Sequence, residues 1–558
     1  MEASRPSPYG NATLRQARAL TQSAPSDSFG PTSVTNVSGR RKPREGDHLE
    51  DHAHSADVQD LARFGYRQEL RRALGVYSSF AVAFSYISPS TGIFTLFILG
   101  IGLAGPAFFW SWPIVVVGQL LVGLNFAEVS SHFPVAGSVY QWTKYLSNRT
   151  YAWFTGWIYL FAGVLTIAAV VATVPLVLIP LLNNMGMSIA TDLDTERNVA
   201  ALVLLSTTLL SIFGVRLVAF VNNTGVVFEI LGMVVFALVL ILFYHHQSVS
   251  VFFDTSYLGS SNAPGIFLAA MFMSLFVIYG FDTASTLAEE TKNPRKSAPQ
   301  AVLASIIGAA IIGAIFLFAA VIAIPGDMGK FVSDIGAGKI PFPLVTIIES
   351  NFPSWAANLY LFVVFAAIYV CCLAIQTSTI RLAFGMARDG KLPLGRVYNK
   401  VHPGLHTPIG TCIVIGVLAA LPLIYYAGAG TIAIGATGMI YLSYILGNIA
   451  ILIARFRGWP KESTPFKLGS WGTIVNILAL AWGVAMEINF LWPRNASVGG
   501  QNPPLSALPN VTVGGTIGGI PVYEFTLGLI LLVGLIYYVV AQRNAPETPA
   551  VQAAQSPA

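Results

Sequence analysis

The chain has 558 residues, of which 54% are hydrophobic and only 10% charged, whereas soluble domains carry roughly 25% charged residues. A surface so poor in charge excludes an ordinary set of water-facing domains and leaves lipid as the solvent. The net charge of +5 is no nucleic-acid signal, because Lys and Arg fall in short clusters between apolar runs, as membrane orientation requires.

Residues 1–60 are polar, rich in Ser and Pro, and lack the apolar core of a signal peptide, so they read as a disordered tail. Within it, Glu45–His54 holds three histidines and four acids. A metal site and a solvated acidic tail are both conceivable there, and the tail is the preferred reading; no cofactor or metal is expected. Residues 61–75 (LARFGYRQELRRALG) read as a basic interfacial lead-in helix.

About 20 apolar residues span a bilayer as a helix. Such runs lie near 77–101, 107–131, 151–182, 198–219, 222–244, 266–288, 301–325, 355–384, 408–427, 430–454, 471–491 and 523–541, twelve in all. The expected fold is therefore an all-α membrane protein with both termini on one side. If that side is cytoplasmic, the inner loops carry fourteen Lys/Arg, from Lys144 and Arg149 through Lys461 and Lys467. The outer loops carry four: Arg197, Lys330, Lys339 and Arg494. The positive-inside rule then places both termini in the cytoplasm. Asn495 and Asn510 are glycosylation sequons in an outer loop. Cys371, Cys372 and Cys412 lie inside apolar runs and imply no disulfide framework.

Two runs are flawed in the middle. The first reads Ser85-Tyr86-Ile87-Ser88-Pro89-Ser90-Thr91-Gly92-Ile93-Phe94, and the sixth reads Phe276-Val277-Ile278-Tyr279-Gly280-Phe281-Asp282-Thr283. Pro89 removes a backbone donor and predicts a break. Broken helices at membrane depth persist only where they line a cavity or are buried in protein. The flaws open two successive sets of five runs, the pattern of an inverted-repeat transporter with a midplane site. A second half-helix starting at about Ser90 would leave the amides of Thr91, Gly92 and Ile93 free for a carboxylate. The carbonyls of Phe276, Val277 and Ile278 would be free for an ammonium. Together these ends suit a zwitterion. Asp282 reads either as a substrate or proton-relay carboxylate or as an N-cap to Ala284 or Ser285.

At these residues the chain resembles the amino acid–polyamine–organocation superfamily of permeases, which share the leucine-transporter fold. The likeness covers roughly 70–545 and looks closest to the amino acid/choline branch that includes GABA permeases. It rests on Ser90-Thr91-Gly92-Ile93-Phe94, where the family has Gly-Ser-Gly-Ile. Phe126-Ala127-Glu128 through Phe133–Ser138, Gly280–Ala284 with Ala288–Arg295, and Arg381 through Ala387–Pro393 complete it. The resemblance implies a transport core over 76–455, built of two five-helix repeats (76–245 and 265–455). Two further helices would follow over 456–541, with cytoplasmic tails at 1–75 and 542–558. It implies substrate contacts at Ser90, Thr91, Gly92, Ile93, Phe276, Ile278, Gly280 and Asp282, with Phe276 as the aromatic gate. Glu289, Glu290 and Arg295 would pair with basic inner loops.

Glu229 in the fifth run stands where many family members have a lysine, beside spans one and eight. A carboxyl inside the membrane is expensive to keep charged, which makes it the candidate proton-coupling group. The competing reading is a Glu near the interface paired with Arg216. Sodium coupling through Thr377, Ser378 and Thr379 is the other ion choice.

The expected function is secondary active transport of an amino acid or related amine such as GABA, as a proton symporter of the plasma membrane working by alternating access. Alternatives are a choline or polyamine carrier or exchanger, and a non-transporting nutrient sensor. No HExxH, GxSxG or P-loop motif is present, so neither an enzyme nor an ATP-driven pump is indicated. The expected partners are the substrate, the coupling ion and membrane lipids.

Overall fold

The computed structural model describes residues 57–213, 215–259, 263–393, 395–424, 428–492, 516–517 and 520–545. The acidic stretch Glu45–His54, both sequons and residues 546–558 lie outside them. Among the described residues eight helical stretches are long and apolar enough to cross a membrane, and Ala263–Val277 and Ile409–Ile424 are shorter apolar helices. The first half contains α1 (Val76–Ile87), α2 (Pro89–Ala104), α3 (Ser111–His132), α4 (Ser138–Leu146), α5 (Arg149–Thr173), α6 (Pro175–Asn184), α7 (Leu193–Ile212) and α8 (Val215–Phe243). The second contains α9 (Ala263–Ala270), α10 (Phe272–Val277), α11 (Thr283–Thr286), α12 (Pro294–Ile322), α13 (Met328–Gly336), α14 (Pro343–Asn351) and α15 (Ser354–Arg388). After these come α16 (Ile409–Ile424), α17 (Ala429–Phe456), α18 (Gly472–Leu491) and α19 (Val522–Tyr537). Thr516–Ile517 and Ile520–Pro521 form a short antiparallel pair before α19.

The broken helices lie at the centre, where α2 packs on α10, and α1 on α8 and α12. Outside them α17 packs on α5, α12 on α3, and α15 on both α5 and α8. Every residue of α2 is buried, whereas α8 exposes Phe228, Leu231, Val235 and Leu238 along one flank. Large apolar side chains turned outward on a helix of this length face hydrocarbon, not water.

Two readings of the sequence need correction. The junction between the fourth and fifth runs was expected at 220–221; instead α7 ends at Ile212 and α8 begins at Val215, so the whole of 215–243 is one helix. Within it Asn222 is buried, and the Asn223 side-chain amide donates to Ser78 Oγ (3.0 Å). Polar residues here join helices across the bundle. Nor is 61–75 one helix: helical backbone covers only 57–63. Beyond the positive-φ Gly65 the chain runs as a strap, with the amides of Ala73 and Leu74 donating to the Glu290 carbonyl.

Candidate functional site

The first break falls at Ser88, and the second half-helix starts at Pro89, one residue earlier than expected. The Ser88 backbone is left-handed (φ 35°), its amide closes α1 on the Phe84 carbonyl (2.7 Å), and Pro89 opens α2. Proline has no amide to leave unpaired at that first position. Ser88 Oγ then accepts from the Thr91 amide (3.4 Å), and the Ser88 carbonyl accepts from the Gly92 amide (3.2 Å). The expectation of free amides at Thr91 and Gly92 is thus overturned.

The carboxyl group at this helix start belongs to the chain itself. Glu229 reaches in from α8 with 2% of its surface exposed. Its Oε1 accepts from Ser88 Oγ (2.7 Å), Ser90 Oγ (2.6 Å) and the Ser90 amide (3.3 Å). A helix N-terminus is electropositive, and a carboxyl there needs no other charge partner. Such burial keeps the Glu229 carboxyl out of contact with water.

Gly92 serves packing. A Cβ there would lie 2.5 Å from Val277 Cγ2 and 3.2 Å from Val277 Cα, so the two broken helices touch at this glycine. Ile93 is buried in the core.

In the second broken helix, α10 ends at Val277 and Ile278 closes it by donating to the Ser274 carbonyl (3.2 Å). Tyr279 donates to the Val277 carbonyl (3.0 Å), which removes that acceptor from the expected ammonium site. The carbonyls of Phe276 and Ile278 receive no hydrogen bond from the described residues. Gly280 has φ 83° and lies against the Tyr86 ring so closely that a Cβ would fall 1.9 Å from it. Only glycine fits both demands. The Tyr279 ring meets Tyr86 at 6.2 Å and Phe276 at 5.8 Å, both edge-on. Phe276 is therefore buried among the aromatics between the two breaks.

Asp282 opens α11 without a side-chain cap, which rules out the N-cap reading. Its carboxylate accepts instead from Ser138 Oγ (2.5 Å) and from the hydroxyls of Tyr159 and Tyr444. Tyr444 Oη also accepts from the Gly280 amide (2.9 Å), so one tyrosine of α17 holds both the break and the acid.

Residues 74–517 match the family model for amino acid permeases. The chain belongs to the amino acid permease family. It is 28% identical over 457 residues to the amino-acid permease BAT1 homolog of Oryza sativa subsp. japonica, covering 78% of this chain and 87% of that one. To amino-acid permease BAT1 of Arabidopsis thaliana it is 26% identical over 461 residues (78% and 88%). Against the branched-chain amino acid permease BcaP of Bacillus subtilis (strain 168) the figure is 28% over 455 residues (78% and 92%). It is thus a multi-pass membrane protein and a transporter.

At one end of the bundle the permease is sealed by buried charge. Arg381 donates to Glu290 (2.5 Å) and Arg388 to Glu289 (2.6 Å); Arg388 is one of the basic inner-loop residues expected as a partner, whereas Arg381 lies within the eighth run. Arg295 pairs with Asp60 (2.7 Å). Lys144 pairs with Asp389 (2.9 Å), which also accepts from Tyr66 (2.7 Å) and Tyr140 (2.8 Å). Burial, then the Asp389 charge, pushes the Tyr66 phenol well above its usual pKa, so it stays a donor at neutral pH. Arg388 lies over the Tyr66 ring at 3.9 Å.

The permease's hydroxyls at 377–379 do not converge on one point. Ser378 accepts from Thr283 (3.3 Å), and Thr379 donates to the Ile375 carbonyl (2.9 Å). The α15 side chain that reaches the first break is Cys371, whose thiol donates to the Tyr86 carbonyl (3.5 Å). Sequence reasoning missed Ser88, Ser138, Tyr159, Tyr444 and Cys371 as site residues. Only Ser88 carried a local signal, the proline that follows it.

Proposed function

We propose that this permease is a proton-coupled secondary transporter of an amino acid or related amine, working by alternating access through the two breaks. Twelve spans are the reading in which Val76–His132 divides between Gly105 and Trp110 into two spans, the first of them broken at Ser88, and α7 (Leu193–Ile212) counts beside the seven other long stretches and the two shorter helices. Both ends of the described chain support an even count: Tyr66 meets Asp389, while the Gln542 amide donates to the neighbouring Gly390 carbonyl (3.1 Å). In this reading the core is 76–455, with repeats 76–245 and 265–455 each opening on a broken helix, and 456–541 adds two outer helices. Both termini are cytoplasmic, on the basic side of a plasma-membrane protein.

The observation that carries the mechanism is the hold of Glu229 on the start of α2. As an anion it occupies the electropositive start of α2. Protonated, it loses its charge and with it the charge-assisted part of its hold on the Ser90 amide and the two serine hydroxyls, so an anionic group of the substrate can displace it. The carboxylate of the substrate then takes the vacated place at the start of α2, meeting the Ser90 amide and hydroxyl that Glu229 had held. Its ammonium meets the carbonyls of Phe276 and Ile278 beside Gly280, with Phe276 covering it and Asp282 holding the break. Two anions compete for one helix end, so proton and substrate bind together. That is the thermodynamic requirement of symport.

The test is uptake into proteoliposomes under an imposed pH gradient without sodium, across a panel of amino acids and amines. Glu229→Gln should exchange substrate yet fail to accumulate it; gradient-driven accumulation by that variant would refute proton coupling through this residue.

A further inference from the structure

Away from the breaks, a cleft of about 690 Å³ opens at the basic end of the bundle. One wall is aromatic: Phe133 stacks on Tyr145 at 5.2 Å with planes 4° apart, and lies nearly parallel to Trp459 at 6.4 Å. Arg63, Arg295, Arg457 and Lys461 line the remainder, with Glu462 the one acid on the lining. Asp60 pairs with two of these cations, Arg295 (2.7 Å) and Arg63 (3.4 Å). Arg457 and Lys461 are exposed and have no acidic partner among the described residues. The cleft lies at the last residues of α3 and α17, where these helices leave the apolar layer. Within that last turn of α17, Ile453 and Phe456 are also exposed.

We propose that this cleft binds the headgroup of an anionic phospholipid from the leaflet at that end of the bundle. Basic pockets between helix ends at the membrane surface suit phosphate-bearing headgroups, and aromatic rings are favoured at the same depth. Arg457 and Lys461 meet the phosphate, the Phe133–Tyr145–Trp459 wall takes the glycerol backbone, and Ile453 and Phe456 offer an apolar track for an acyl chain. A soluble anion would use the cations but leave the aromatic wall and the track unfilled. Because Arg63 belongs to the short helix 57–63, Arg295 to the start of α12 and Phe133 to the connection after α3, a bound headgroup ties together three segments beside the sealed end.

The experiment titrates the full-length permease in detergent with short-chain phosphatidic acid, short-chain phosphatidylcholine and inorganic phosphate, reading thermal stabilisation. Phosphatidic acid should stabilise the protein while the other two probes do not at equal concentration. The double variant Arg457→Ala/Lys461→Ala should keep the lipid-free melting temperature and bind phosphatidic acid about ten- to thirtyfold more weakly. Arg457→Lys should keep most of the affinity. Equal affinity of wild type and double variant would overturn the proposal. So would inorganic phosphate stabilising as well as the lipid, which would mark a free-anion site. Neither result depends on transport or on its coupling ion.

Discussion

Glu229 and Ser88 lie 141 positions apart and meet through a 2.7 Å hydrogen bond at the point where the first membrane helix breaks. Ser88 Oγ also accepts from the Thr91 amide, so one hydroxyl caps the second half-helix and binds the acid. The charge state of Glu229 is thereby tied to the geometry of the break.

Contact between the two broken helices is set by Gly92 and Val277. Gly92→Ala should lower thermal stability by about 1–3 kcal/mol, because the new methyl overlaps the valine side chain. Val277→Ala removes the atom at 2.5 Å and leaves the backbone at 3.2 Å, so the double variant should recover part of the loss. A double-mutant cycle of melting temperatures checks this, and additive losses would show that the two residues do not press on each other.

The three hydroxyls around Asp282 should be unequal. Tyr159→Phe removes one donor from a buried carboxylate, at a cost of about 1–3 kcal/mol. Tyr444→Phe removes a donor and also strands the Gly280 amide, so it should be the more destabilising of the two and should impair transport more. Denaturation midpoints of both variants decide the order.

Topology can be read with single cysteines. In a Cys-less background, Ser333→Cys should label with impermeant maleimide on intact cells, and Ser463→Cys should label only after permeabilisation. Both positions are exposed, so access to the side of the membrane alone decides the outcome. Reversed labelling would invert the orientation.

The breaks were legible because proline and glycine act through local chemistry: Pro89 cannot donate, and Gly280 tolerates positive φ. The place of Glu229 within an apolar helix was legible for the same reason, an ionisable residue within an apolar run. What occupies the start of α2 was not, since that depends on α8 crossing α1 at one register, which no local pattern encodes. The strap over 64–75 misled because its alternation of basic and apolar residues suits an interfacial helix. Its pairing with 290–292 is a long-range event. Tyr159 and Tyr444 sit in apolar runs like any packing tyrosine, and only their convergence on Asp282 sets them apart.

Substrate affinity as a function of pH tests the competition at the α2 helix start most directly. If protonated Glu229 must vacate it before substrate binds, raising the pH above the titration of Glu229 should weaken wild-type binding about tenfold per pH unit, the slope for one coupled proton. Glu229→Gln, permanently neutral, should bind with an affinity that does not change over the same range. An unchanged pH slope in Glu229→Gln would contradict the account.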